Sequence, residues 1–396
     1  MNKTKITTPD FEFYSMEYPL KRASMVDGCV HVVWMDGRES HFHYIWLRDN
    51  DASERSIDPI SRERIFLIRE VPLDIRPLSV SICSQGGLFV DWEDDFQSHY
   101  HPGWLRYFDY FNGSNSVDKW EVETWDQRLE EQLPIYSAAA VIDNEDIRYD
   151  FLTTIRKKGL VIVTDMAQNI DSFEKISMQV GLLRDMNWGR IFEIKAKPEG
   201  EYLAYRGMAL EPHNDAPTRE YIPGLQVFQC VENTAKGGES YWVDGYHIAE
   251  IMRKHYPKEF EILVTTPWHY ASRNLVSKYC WNTPIFTLDS KGNVTTVHDS
   301  MPLREPVCVN FNRVPEFFAA YKIYTILKET RQNQVQRKLI KGDIAIVDNR
   351  RILHARREFD PSSGERHIRT AYSERDELLS AIRMIERARS EREFSE

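Results

Sequence analysis

The chain lacks long apolar runs. None approaches the ~20 residues that cross a bilayer, and the opening MNKTKITTPDFEFYSM holds no apolar stretch like a secretion signal. Both absences point to a cytoplasmic protein with no membrane partner. It also lacks a basic excess: 51 Lys and Arg stand against 61 Asp and Glu, a net charge of −10. Binding a phosphate backbone needs clustered cations, so nucleic acid is not an expected partner. Cysteine is sparse. Cys29, Cys83, Cys230, Cys280 and Cys308 are odd in number and contain no CxxC pair, which fits free thiols in a reducing compartment.

What is present is ordinary globular material, 42% hydrophobic and 28% charged over 396 residues, enough for two or three domains. Short alternating runs such as 30–34 and 87–92 make residues 1–105 a small β-rich N-terminal domain. Residues 106–137, aromatic and acidic, read as a linker with one short helix. Residues 138–396 form a second unit ending in a charged helix from 376 onward. There the spacing predicts helices over 146–158, 173–180, 246–255 and 315–329. It predicts strands over 159–164, 224–231, 241–243 and 343–348. Many short strands with few helices fit a mainly β fold with a jelly-roll core and flanking helices.

The chemistry concentrates in Glu211-Pro-His-Asn-Asp215. On a strand, positions i and i+2 face one side, so His213 and Asp215 can reach one ion. Asn349-Arg-Arg-Ile-Leu-His354 offers a second imidazole. Two His and one carboxylate on one face of an octahedron form the facial triad of non-haem Fe(II) oxygenases. HxD alone is a weak signal, but two further features follow in order. Ser240 comes after the Gly237-Gly238 turn, and Arg366 lies twelve residues beyond His354. A guanidinium fork and a hydroxyl suit the distal carboxylate of 2-oxoglutarate. Zinc hydrolysis at the same triad leaves Arg366 unexplained, and a non-catalytic sensor leaves the intact triad unexplained.

The words around these residues are His213-Asn-Asp-Ala-Pro217, Gly237-Gly-Glu-Ser-Tyr-Trp-Val-Asp-Gly245, Asp348-Asn-Arg-Arg-Ile-Leu-His-Ala-Arg-Arg357, and Trp46-Leu-Arg-Asp-Asn50 further upstream. Over roughly residues 25–385 the chain resembles the γ-butyrobetaine hydroxylases of the taurine dioxygenase-like group. The resemblance implies a double-stranded β-helix behind a small N-terminal domain, and a homodimer using Fe(II), 2-oxoglutarate and O2. It places His213, Asp215 and His354 at the iron, with Arg366 and Ser240 at the co-substrate carboxylate. Trp188, Phe192, Tyr205 and Tyr372 fall at its aromatic cage for a trimethylammonium group. Ring faces suit a cation that cannot donate hydrogen bonds.

The chain departs from the family at three places. Asp51, Ser53 and Ser56 stand where zinc-binding cysteines are expected, so no structural zinc is expected, and His99 and His101 read as ordinary polar residues. Ala216 replaces a Tyr, and Tyr202 an Asn that helps hold the substrate carboxylate. With the anionic end rebuilt, the resemblance, through the family's phosphonate branch, implies 2-(trimethylammonio)ethylphosphonate as substrate, with γ-butyrobetaine and trimethyllysine as the alternatives. Asn214 beside the ligands, with Arg273, Lys278, His298 and Arg304, are the candidate anion donors.

Overall fold

The computed structural model describes residues 6–112, 122–196, 205–273 and 277–395. The chain divides into two compact units, Met1–Lys119 with Glu386–Glu396, and Trp120–Ile385. The division falls within the stretch read as a linker, whose last residues, Ile135–Ser137, are a strand of the second unit.

The first unit holds two three-stranded antiparallel sheets. One is Leu20–Val26, Cys29–Trp34 and Glu39–His43; the other is Pro77–Ile82, Leu88–Trp92 and Gln97–Tyr100. Period-two alternation turns Val30, Val32 and Trp34 inward from one sheet and Leu88, Val90 and Trp92 from the other. Asp51 and Ser56 are fully buried. The Ser53 hydroxyl and backbone N–H both donate to Asp51. His99 lies against Phe89, and His101 caps the helix Pro102–Tyr107 through Nδ1. Arg48, buried, stacks over Phe96 at 3.7 Å and pairs with Asp94.

The second unit is built on two sheets. The larger runs, in spatial order, Ile135–Ser137, Leu160–Thr164, Ile344–Asp348, Leu225–Asn233, Arg366–Ser373, Ile191–Lys195. The smaller runs Leu210–His213, Ile352–Arg356, Ser240–Asp244, Gln334–Arg337. All neighbours are antiparallel except the first pair of the larger sheet. Leu160, Ile162, Ala345, Val347 and Ile368 of the larger sheet pack with Trp242, Val335 and Ile352 of the smaller, so the two face each other across one core. The alternate residues Val161, Val163, Ile344 and Ile346 face the other way, onto helices that cover the larger sheet.

The helix Glu145–Lys158 shows why those covering helices form. Asn144 accepts from the N–H groups of Asp146 and Ile147, and the charges run from Glu145 and Asp146 to Arg156, Lys157 and Lys158, in the sense the helix dipole favours. Gly159 then ends it at φ +70°, a left-handed turn that feeds the buried strand. Between Ser240–Asp244 and Gln334–Arg337 the chain inserts the helices Gly245–His255, Pro257–Thr265 and Val314–Glu329, which share a second apolar cluster. Helix and strand therefore take nearly equal shares, about 31% and 30%. The mainly β expectation is corrected to a mixed fold with a two-sheet core.

Candidate metal centre

The strand Leu210–His213 pairs with Ile352–Arg356 so that His213 stands opposite His354, after a bulge that realigns the register. His354 is thus a mid-strand residue. Asp215 lies beyond the strand, in a turn that leads to Ala216 at φ +59°. Strand alternation alone therefore does not bring it alongside His213. Asn349 does part of that work: its Oδ1 accepts from the Asp215 N–H at 2.9 Å and its Nδ2 donates to the Asp215 carbonyl at 3.1 Å. Ligand atoms of His213, Asp215 and His354 come within 4.8 Å of one another, the one such cluster of metal-ligating side chains among the described residues.

The polar partners aim these atoms. His213 Nδ1 lies 2.7 Å from the Glu211 carbonyl, an acceptor that fixes the proton on Nδ1 and leaves the Nε2 lone pair to a metal. His213 Nε2 and His354 Nε2 lie 3.6 and 3.8 Å from Asp215 Oδ1. Asp215 Oδ2 accepts from the Tyr372 hydroxyl and from Gln226 Nε2, each at 2.7 Å. One carboxylate oxygen is thus held by the protein while the other faces the imidazoles. Burial pushes the Asp215 carboxyl up, but His354, His213 and these two donors outweigh it, and its pKa falls below the usual range. Burial, then the neighbouring His213, pull His354 down to about 3. A carboxylate beside two imidazoles is the donor set that a divalent cation needs.

A cavity continues from these residues between the two sheets, lined by Phe228, Ser240, Trp242, Arg356 and Arg366 among others. Arg366, Ile368, Thr370 and Tyr372 alternate along one strand, so all four side chains share its inner face. Tyr372 ends at the metal residues and Arg366 begins the strand, roughly 20 Å away along the backbone. Arg366 Nε is buried without a hydrogen-bond partner, and no carboxylate of the described residues is among the charges acting on its guanidinium. Such a group fits an incoming anion.

The four aromatics of the sequence reading form one chain of ring contacts. Tyr372 meets Trp188 at 6.1 Å, Trp188 meets Phe192 at 6.3 Å, and Phe192 meets Tyr205 at 6.3 Å. Register explains part of this, because Phe192 pairs with Thr370 on the strand that carries Tyr372. Tyr202 lies outside the described residues. Asn214 has a different place from the one expected. It is fully buried, its amide nitrogen donates to the carbonyls of Val297 and Asn349, and its oxygen accepts from Asp299 N–H. It holds the ligand turn and offers nothing to a substrate. Of the other anion candidates, Arg273 pairs with Glu305, Arg304 lies over Trp268 and Tyr321, His298 is buried, and Lys278 is exposed.

Sequence reasoning missed Gln226, Asn349 and Arg356. The alternation of Gln226 and Phe228 within a strand was the available signal for the first; the other two depend on pairings made only in three dimensions.

Residues 133–372 match the family model described as taurine catabolism dioxygenase TauD, TfdA family, and residues 22–106 match that of the gamma-butyrobetaine hydroxylase-like N-terminal domain. Gamma-butyrobetaine dioxygenase of Pseudomonas sp. (strain AK-1) is 35% identical over 383 residues, covering 96% of this chain and 99% of that protein. The Homo sapiens protein of the same name is 26% identical, covering 93% and 98%. Trimethyllysine dioxygenase of Meyerozyma guilliermondii is also 26% identical, covering 93% and 96%.

Proposed function

The chain belongs to the TauD, TfdA dioxygenase family and carries its gamma-butyrobetaine hydroxylase-like N-terminal domain, and from that premise we propose that it hydroxylates a small trimethylammonium carboxylate of the γ-butyrobetaine class. It is an Fe(II)- and 2-oxoglutarate-dependent dioxygenase. We read its two facing sheets as the family's double-stranded β-helix. In this reading His213, Asp215 and His354 hold the iron, and Arg366 with Ser240 holds the distal carboxylate of 2-oxoglutarate. Bound iron, with O2 as oxidant and 2-oxoglutarate as the co-substrate oxidised to succinate and CO2, would supply the chemistry that turns an unactivated C–H into C–OH. The protein's own part is placement and exclusion of water. Trp188, Phe192, Tyr205 and Tyr372 receive the cation, each ring contributing about 0.5–2 kcal/mol.

The observation that carries the substrate class is the unbroken run of four rings ending on Tyr372, whose hydroxyl touches Asp215. A cation seated there puts the methylenes next to it near the metal residues. The relatives named for γ-butyrobetaine and trimethyllysine favour a carboxylate over the phosphonate that the sequence alone suggested. The structural places of Asn214, Arg273, Arg304 and His298 remove much of the support for an enlarged anion site.

The test is competition at equal concentration between γ-butyrobetaine, trimethyllysine and 2-(trimethylammonio)ethylphosphonate, read by each hydroxylated product and by succinate. The highest kcat/KM is expected for γ-butyrobetaine. A higher value for the phosphonate would overturn the substrate reading and leave the oxygenase class standing. On the family resemblance we also propose a homodimer, which light scattering on the purified chain tests.

A further inference from the structure

Two arginines, not one, reach the cavity at the co-substrate end. Arg356 ends the strand that carries His354, and register sets it opposite Ser240 on one side and Leu210 on the other. It lines the same cavity as Arg366, and both are buried. Phe359 lies beside both guanidiniums, at 4.8 Å from Arg356 and 5.5 Å from Arg366. The two cations disfavour each other, and an anion between them relieves that cost.

Arg356 also faces the substrate side. Its Nη2 donates to the carbonyls of Arg206 at 2.5 Å and Met208 at 2.8 Å. These residues directly follow Tyr205, the last ring of the cage. The same short segment is fastened a second time, where Phe359 N–H donates to the Gly207 carbonyl at 2.9 Å. Gly207 is packed so closely that a Cβ would come within 2.6 Å of the Phe359 carbonyl oxygen. One side chain therefore touches the co-substrate pocket and the backbone that carries a wall of the cage.

We propose that Arg356 is a positioning residue that couples the two subsites: the distal carboxylate of 2-oxoglutarate, held by Arg366, settles Arg356 on the Arg206 and Met208 carbonyls and so fixes Tyr205 for the trimethylammonium group. This rests on the trimethylammonium reading above. Linkage makes the effect reciprocal, so each ligand tightens the other by the same factor.

The experiment is equilibrium binding of γ-butyrobetaine to the Fe(II)-loaded protein without oxygen, by calorimetry, with no 2-oxo acid and with saturating 2-oxoglutarate. In the wild type the Kd should fall at least about 5-fold when 2-oxoglutarate is present. In Arg356→Gln that ratio should approach one, with 2-oxoglutarate still bound through Arg366, and Arg356→Lys should recover part of it. A purely structural role would instead weaken γ-butyrobetaine binding equally with and without the co-substrate. A wild-type ratio of one overturns the coupling, whatever happens to the variants. A wild-type ratio retained in Arg356→Gln overturns the role of Arg356. Failure of the wild type to bind any of the three trimethylammonium compounds in either state overturns the substrate reading and this inference with it.

Discussion

At the scale of residues, the site is a set of donors arranged around acceptors. Arg366 is the simplest case, a buried guanidinium with no carboxylate of the described residues among the charges acting on it. Arg366→Lys should raise the KM for 2-oxoglutarate by at least about tenfold, because a point charge does not reproduce a two-pronged contact. An unchanged KM in steady-state succinate assays would refute that assignment. His298 gives a pH dependence away from the metal. Burial, then the Arg350 charge, hold its folded pKa near 4, below the ordinary 6.5. The unfolded chain therefore takes up a proton that the folded chain refuses as pH falls from about 6.5 toward 4. Its contribution is complete above that window and is lost within it, with a slope of up to about 1.4 kcal/mol per pH unit. Urea unfolding across the window should show that slope reduced in His298→Asn.

The cluster of His213, Asp215 and His354 was legible in the sequence because HxD and a distal His are local words. Asn214 was misread for the opposite reason. Its type and position suit a ligand contact, and only the approach of Val297, Asp299 and Asn349 uses up its amide. Arg356 was invisible as a functional candidate because its meaning depends on Ser240 and Leu210, more than a hundred residues away in sequence.

At the scale of elements, the strongest sequence signals were helices with clear ends. The helix expected over 146–158 is Glu145–Lys158, and the strand after Gly159 is Leu160–Thr164. The strand Arg366–Ser373 was not anticipated, although its period-two face carries both Arg366 and Tyr372. Its buried residues include Arg366, Arg369 and Thr370, so it does not read as an apolar run. The helix Val314–Glu329 shows how an element can steady the site from behind. Its Lys328 is fully buried, pairs with Asp299 at 2.5 Å, and donates to the Pro212 carbonyl next to His213. Lys328→Met should cost about 3–5 kcal/mol, because it leaves the Asp299 carboxylate buried without its cation. Adding Asp299→Asn should recover part of that loss in thermal or urea unfolding. A single variant as stable as the wild type would show that the pair does not hold the ligand strand.

At the scale of the whole molecule, the many short strands pointed to a jelly-roll core but not to the balance of the fold. The mainly β expectation undercounted helix because Tyr44–Asp49, Pro102–Tyr107, Ala138–Asp143 and Pro257–Thr265 gave no expectation of their own. In the first unit, Asp51, Ser53 and Ser56 lie in a hydrogen-bonded turn where the family resemblance expects thiolates. Protein purified without added zinc should fold with far less than one zinc per chain; a tightly held equivalent found by metal analysis would contradict this. The central claim is that His213, Asp215 and His354 hold the iron that drives 2-oxoglutarate-dependent hydroxylation. Its most direct measurement is iron content and succinate formation, side by side, in the wild type and in His213→Ala shown to be folded by circular dichroism. The account predicts about one iron and steady succinate formation in the wild type, with both lost in the variant; full iron occupancy or undiminished succinate in His213→Ala would contradict it.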